Sequence, residues 1–302
     1  MVKINSISQT LNTQSSEPTF CLVTPSYAPD FERCQFLCST IEQFVPASTQ
    51  HYIIVDRRDF SLFKTLQNNR TEILVVEDVI PGWINKIPLI KNGWFSLKTL
   101  PIRNWLLQQI VKLAAAQFVA EDVIMFVDSD VAFVRPLIPQ ERLIQDGKIR
   151  FYREPNSIPQ SWKGHESWYQ AASKLLITPM VDFPAPNYIG DLITWKRDNV
   201  IKLHHHLEEV NGRSWIEVIA NTWNVSEYIL YGMFVDYVLK DDSHHFIDEF
   251  YPGLQYFGTE DLSEQQIKDF LAEIQPHHVT VMISAKAGIP IQRYAQLLKQ
   301  IH

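Results

Sequence analysis

A chain of 302 residues that is 46% hydrophobic can bury a large core, and its length lies near the point where one core begins to divide into two lobes. Its net charge of −7 argues against a nucleic-acid partner, which needs a basic face, and in favour of a small one. No apolar run approaches the roughly 18 residues of a membrane span, and the start lacks the basic-then-apolar layout of a secretory signal, so the chain reads as soluble and cytoplasmic, with no transmembrane segment.

Residues 1–17 are rich in Ser, Thr, Asn and Gln without pattern and read as a loose tail. A β-type run at Phe20–Val23 stops at Thr24-Pro25-Ser26, and Phe31, Cys34, Leu37, Cys38, Ile41 and Phe44 follow with helical spacing. The four-residue separation of Cys34 and Cys38 on that helix suits neither a structural disulfide nor a zinc cage, so all three cysteines read as reduced thiols. HYIIVD, SLFKTLQNN and TEILVVED then read as strand, helix and strand. These strands lack alternation, as expected when helices cover both faces of a parallel sheet. A helix opening at Pro101 carries Leu106, Leu107, Ile110, Val111, Ala114 and Phe118 on one broad face and leads into the strand Val123–Val127.

Beyond about residue 150 the composition changes, with Trp162, Trp168, Trp195, Trp215 and Trp223 among proline-bearing loops. A strand in DLITWK and helices in RDNVIKLHHHLEEV and SEYILYGMFVDYVLK are expected there. The expected organisation is an α/β chain with a mostly parallel central sheet flanked by helices. Residues 18–150 form its ligand-binding half, and residues 151–302 an elaborated second half of the same domain.

The stretch VIMFVDSDVAFVRPL ends a strand fit for the centre of a sheet with Asp128 and Asp130. An unpaired carboxylate is costly to desolvate, and a second one two residues along adds repulsion, so a positive partner is required. Arg135 is near in sequence, but nothing forces it to pair. A hard divalent ion, Mn2+ or Mg2+, takes carboxylate oxygens and shares its other positions with water and ligand phosphates. The carboxyl end of a parallel strand is where open α/β sheets bind ligands. No glycine-rich phosphate loop is present, which leaves a metal and side chains to bind any phosphate.

FVDSDVAFVRPL resembles the DxD element of GT-A fold glycosyltransferases, and together with WLLQQIVKLAAA and SEYILYG it is similar to an uncharacterised bacterial group in that class. The resemblance spans roughly residues 18–290 and implies a Rossmann-like GT-A fold with a C-terminal acceptor half. It also implies a nucleotide-sugar donor, a UDP- or GDP-sugar, and transfer of its sugar to a glycan or lipid-linked acceptor hydroxyl. Asp130 is then the principal metal ligand. Asp128 touches the ribose, the metal or both, and Ser129 shapes the turn between them. Thr24, Pro25, Ser26 and Tyr27 occupy the place of the base and ribose, with Asp56 similarly placed at the next strand tip. Lys112, and after it Arg103, answers to the family's basic position facing the nucleotide. A histidine from the C-terminal part often completes such a metal site; His278, His277, His244 and His245 are the candidates, and His278 is chosen.

Inverting transfer, the favoured outcome, needs a base for the acceptor. Glu227, opening a helix after Ser226, is the first choice because a helix N-terminus stabilises its charge. Asp191, after Gly190, is the competing one. Trp162, Trp168 and Trp195 suit the C–H faces of sugar rings, against core filling as the commoner fate of tryptophan. The run His204-His205-His206 points three ways around a helix and reads as solvated. Two alternatives remain. A haloacid-dehalogenase-like phosphohydrolase also puts D-x-D after an apolar strand, but on the first strand of its domain. A non-catalytic sugar- or nucleotide-binding protein needs no base at all.

Overall fold

The computed structural model describes residues 17–87 and 93–300, so all of the 1–17 tail except Glu17 lies outside the described residues. Its main strands are β1 (Phe20–Pro25), β2 (Gln50–Val55), β3 (Thr71–Val75), β4 (Val123–Val127), β5 (Val131–Phe133), β6 (Leu192–Lys196), β7 (Gly253–Tyr256) and β8 (Thr280–Ile283). The main helices are α1 (Phe31–Phe44), α2 (Asn104–Phe118), α3 (Lys163–Leu176), α4 (Arg197–Asn211), α5 (Trp215–Ala220) and α6 (Glu227–Met233).

The central sheet has the order β6-β4-β1-β2-β3. β4, β1, β2 and β3 run parallel, and β6 pairs antiparallel with β4. The protein is therefore a mixed α/β structure with a mostly parallel sheet flanked by helices, and both halves of the sequence contribute strands to it. Every residue of β4 is buried, which explains its unbroken apolar run. A smaller sheet, β7-β8-β5, begins directly beyond the acids that end β4. β8 runs antiparallel to β5, pairing Thr280 with Phe133 and Met282 with Val131.

Tertiary pairing overrides local pattern in several places. SLFKTLQNN yields only the four-residue helix Phe60–Phe63 between 3-10 turns. Helix α2 starts at Asn104 instead of Pro101, because Ile102 and Arg103 are drawn into a strand against Gly93 and Trp94. The long helix expected from Ser226 divides into α6 and a π-helical Phe234–Leu239. Helix α3 stands where loops were expected.

Two aromatic side chains from the second half lie in the core. Trp195 belongs to the core, 1% exposed, with its ring 4.6 Å from both Tyr231 and Phe126, so it cannot meet a sugar. His204 is buried too, stacked on Trp215 at 4.0 Å with Nε2 3.1 Å from the Leu113 carbonyl, while its neighbour His205 is exposed. Among the described residues, no helix is long and apolar enough to cross a membrane.

Candidate functional site

Asp128-Ser129-Asp130 forms the turn from β4 into β5, closed by the Val131 N–H donating to the Asp128 carbonyl at 3.2 Å. Backbone bonding thus accounts for the turn, but not for the two carboxylates, which line a cavity of about 410 Å3. Helix α2 supplies one wall. Trp105, Gln108, Gln109 and Lys112 fall at i, i+3, i+4 and i+7, a stripe facing the cavity on a helix otherwise buried in the core. The start of α6 supplies another through Ser226, Glu227 and Tyr228.

Lys112 lies at the centre of this group and is 6% exposed. Its Nζ is 3.2 Å from Asp128 Oδ1, 3.2 Å from Glu227 Oε1, and donates to the Tyr228 hydroxyl at 2.8 Å. Burial opposes the ammonium charge, but Asp128, Tyr228 and Glu227 outweigh it and hold the Lys112 pKa well above its ordinary value. The cation that the acids required is in part this lysine. Arg135 is not involved, since its guanidinium donates to the carbonyls of Gln275 and His278. Burial raises the Glu227 carboxyl, with Lys112 opposing the shift. Ser226 caps α6, its hydroxyl accepting from Ile229 N–H, and Gln109 accepts the Glu227 N–H at 3.1 Å, so the helix end is anchored to α2.

Asp130 has no such cation among the described residues. Its Oδ2 accepts the Ala285 N–H at 2.8 Å, and burial, with Asp128 adding, pushes its pKa up to about 6. Asp30, beside the cavity, is raised by burial and by Asp128, against the pull of Arg33 at 3.5 Å. Asp191 lies outside the cavity lining and is 3% exposed. Its Oδ1 accepts from Gln255 at 2.8 Å, its Oδ2 has no hydrogen-bond partner among the described residues, and burial pushes it up to about 7. The ring of Tyr251 occupies the space a Cβ on Gly190 would need, and its hydroxyl receives the Asp191 N–H.

A second, larger cavity of about 730 Å3 adjoins the first, sharing Pro25, Tyr27, Trp105, Gln108 and Lys286 with it. Ser26, Asp56 and Arg103 line it as well. Asp56 pairs with Arg58 at 2.8 Å and Lys86 at 3.1 Å. Arg103 donates to the Trp223 carbonyl at 2.6 Å. Thr24 is not in the lining: it is fully buried, 3.0 Å from the His51 ring, because its place in β1 directs it into the sheet interior.

His278 also stays outside both linings, with its Nδ1 accepting the Gln275 N–H. The register of β8 explains this. His278 precedes the strand, while the end that runs back to Asp130 is the other one, which brings Ser284, Ala285 and Lys286 to the cavity instead. Among the described residues, no group of three or more His, Cys, Asp and Glu side chains is arranged to hold a metal ion. Asp128 shares the Lys112 ammonium with Glu227, while Asp130 has no cation beside it among the described residues.

Sequence reasoning missed Asp30, Tyr228 and Lys286. The α2 stripe was readable from its polar spacing. Lys286 was not, because only the β5–β8 pairing brings it there. Trp162 is 51% exposed and lies outside both cavities; Trp168 lines the smaller one and stacks on Trp105 at 5.9 Å. Fold and site together define a mixed α/β protein with an acid-lined cavity at the carboxyl end of its parallel strands. Residues 19–299 match the family of unknown function DUF6492, and the chain belongs to that family. No curated protein matches it.

Proposed function

We propose that the protein is a GT-A-type glycosyltransferase that moves a sugar from a UDP- or GDP-sugar to a hydroxyl of a glycan or lipid-linked acceptor. The observation that carries this reading is the pair Asp128 and Asp130 at the end of β4, facing one cavity and adjoined by a second at the ends of β1 and β2. Ligands of open α/β sheets bind at such strand ends.

The residues fit a divalent cation. Asp130 has a backbone N–H but no cationic partner among the described residues, and burial, with Asp128 adding, raises its pKa, a cost that a bound cation would offset. Two carboxylates suffice for Mg2+ or Mn2+ when ligand phosphates and water complete the shell. When bound there, the ion would neutralise diphosphate charge as the leaving group departs. Ser26, Tyr27 and Asp56 would receive the nucleoside in the larger cavity, with Arg103 and Lys286 beside the phosphates. Glu227 would accept the acceptor's proton. Both acids are buried, but Glu227 lines the cavity and Asp191 does not. Lys112 keeps the Glu227 carboxylate ionised and oriented until that transfer.

A thermal-shift screen of nucleoside diphosphates and nucleotide sugars with and without Mn2+ tests this, because a ligand that binds only the native state raises its melting temperature. A shift that needs both nucleotide and Mn2+ supports the reading. Shifts unchanged in chelator count against it.

A further inference from the structure

A third cavity, of about 610 Å3, lies between α3 and α5 and has no part in the reaction above. Its chemistry suits a carbohydrate. Trp223 is 63% exposed on its wall, and the amides of Gln170, Asn221 and Asn224 stand around it. Indole faces pack on sugar C–H groups while amides bond the rim hydroxyls.

The charge of the groove is equally informative. Glu217, the one acid in its lining, is already engaged: the Ser214 hydroxyl donates to it at 2.8 Å and Lys98 lies 3.3 Å away. Lys174 and Arg213 are exposed in the same groove and make no ion pair among the described residues. On a chain of net charge −7, this groove offers two uncompensated cations.

The groove is also joined to the acid-lined cavity. Arg103 of the larger cavity stacks on the Trp223 ring at 4.1 Å and bonds its carbonyl. Ser167 of the groove adjoins Trp168 of the smaller cavity, which stacks on Trp105. Trp223, Arg103, Trp105 and Trp168 thus form one stacked run from the groove to the acid-lined cavity.

We infer that this groove binds the distal sugars of an extended anionic glycan, the acceptor whose reactive end enters the acid-lined cavity. Lys174 and Arg213 meet its carboxylate or sulfate groups, and Trp223 meets a ring face. The role as acceptor rests on the transferase reading; binding of the anionic glycan does not.

The test is calorimetric titration with hexagalacturonate, a heparin hexasaccharide and cellohexaose, without nucleotide or metal. At least one anionic hexasaccharide should bind about tenfold more tightly than cellohexaose, the ratio expected from one or two charge-assisted contacts. Which of the two binds tells carboxylate from sulfate. Binding should weaken with salt and fall about tenfold in the double variant Lys174→Ala/Arg213→Ala. Both side chains are exposed, so the variant should keep the wild-type melting temperature. No binding, binding equal to that of cellohexaose, or anionic binding untouched by the double variant would overturn the inference. Anionic glycan binding without metal-dependent nucleotide binding would instead sink the transferase reading alone.

Discussion

Replacing Lys112 by Met removes the cation from a carboxylate that has almost no access to water. Of its two acidic partners, Asp128 has a 47% exposed side chain and can be rehydrated, so that pair contributes little. The Glu227 side chain is 3% exposed, and its oxygen lies 3.2 Å from Nζ. At an effective dielectric of about 20, that distance corresponds to roughly 5 kcal/mol of attraction. Recovering the lysine's desolvation offsets part of it, which leaves an expected loss of about 3 kcal/mol near neutral pH. Glu227, already raised by burial, would rise further without Lys112. A carboxyl raised in the native state binds protons there that the unfolded chain does not, so stability falls as pH rises. The variant should therefore lose about 3 kcal/mol at pH 7.5 but only about 1 kcal/mol at pH 5. Adding Glu227→Gln should restore much of the loss, giving a coupling of about 2 kcal/mol in a double-mutant cycle followed by urea unfolding. A loss below about 1 kcal/mol at pH 7.5, unchanged at pH 5, would refute the reasoning.

Asp130→Asn removes a charge that the fold tolerates poorly, since burial and Asp128 hold its pKa near 6 against an ordinary 3.8. Melting at pH 7.5 should show the variant stabilised by about 1–2 kcal/mol after discount for its partial exposure, with the gain fading as pH falls from about 6 towards 3.8; a less stable variant at pH 7.5 would contradict this. His204, pushed down to about 4 by burial from an ordinary 6.5, stays neutral in the native state while the unfolded chain protonates. Stability should therefore fall by up to about 3 kcal/mol as pH drops through that window, and His204→Gln should flatten the fall in denaturation curves.

Much of the sheet could be read from the chain because β1 and β4 are nearly unbroken apolar runs and β2 and β3 end in the apolar triplets Ile53–Val55 and Ile73–Val75, although Glu72 leaves one face of the edge strand β3 exposed. The position of Asp128 and Asp130 followed from β4 alone. Lys112 and Glu227 were singled out separately; their meeting depends on α6 docking onto α2 through Gln109 and the lysine itself, a contact across more than a hundred residues. The burial of His204 was misread, and that of Trp195 left open against a sugar contact, for a related reason. Periodicity gives a direction around a helix or strand, but the Tyr231 and Trp215 rings that bury these two come from distant segments. His278 was misplaced because a strand's direction in a sheet, here antiparallel against β5, decides which of its ends reaches the site.

The most direct test of the paired carboxylates is paramagnetic resonance of Mn2+ titrated with the protein in the presence of UDP or GDP. The account predicts that the free-ion signal is lost with wild-type protein and one of these nucleotides, and persists with Asp130→Ala. A full aqueous signal with the wild type and both nucleotides, or the same loss with the variant, would contradict it.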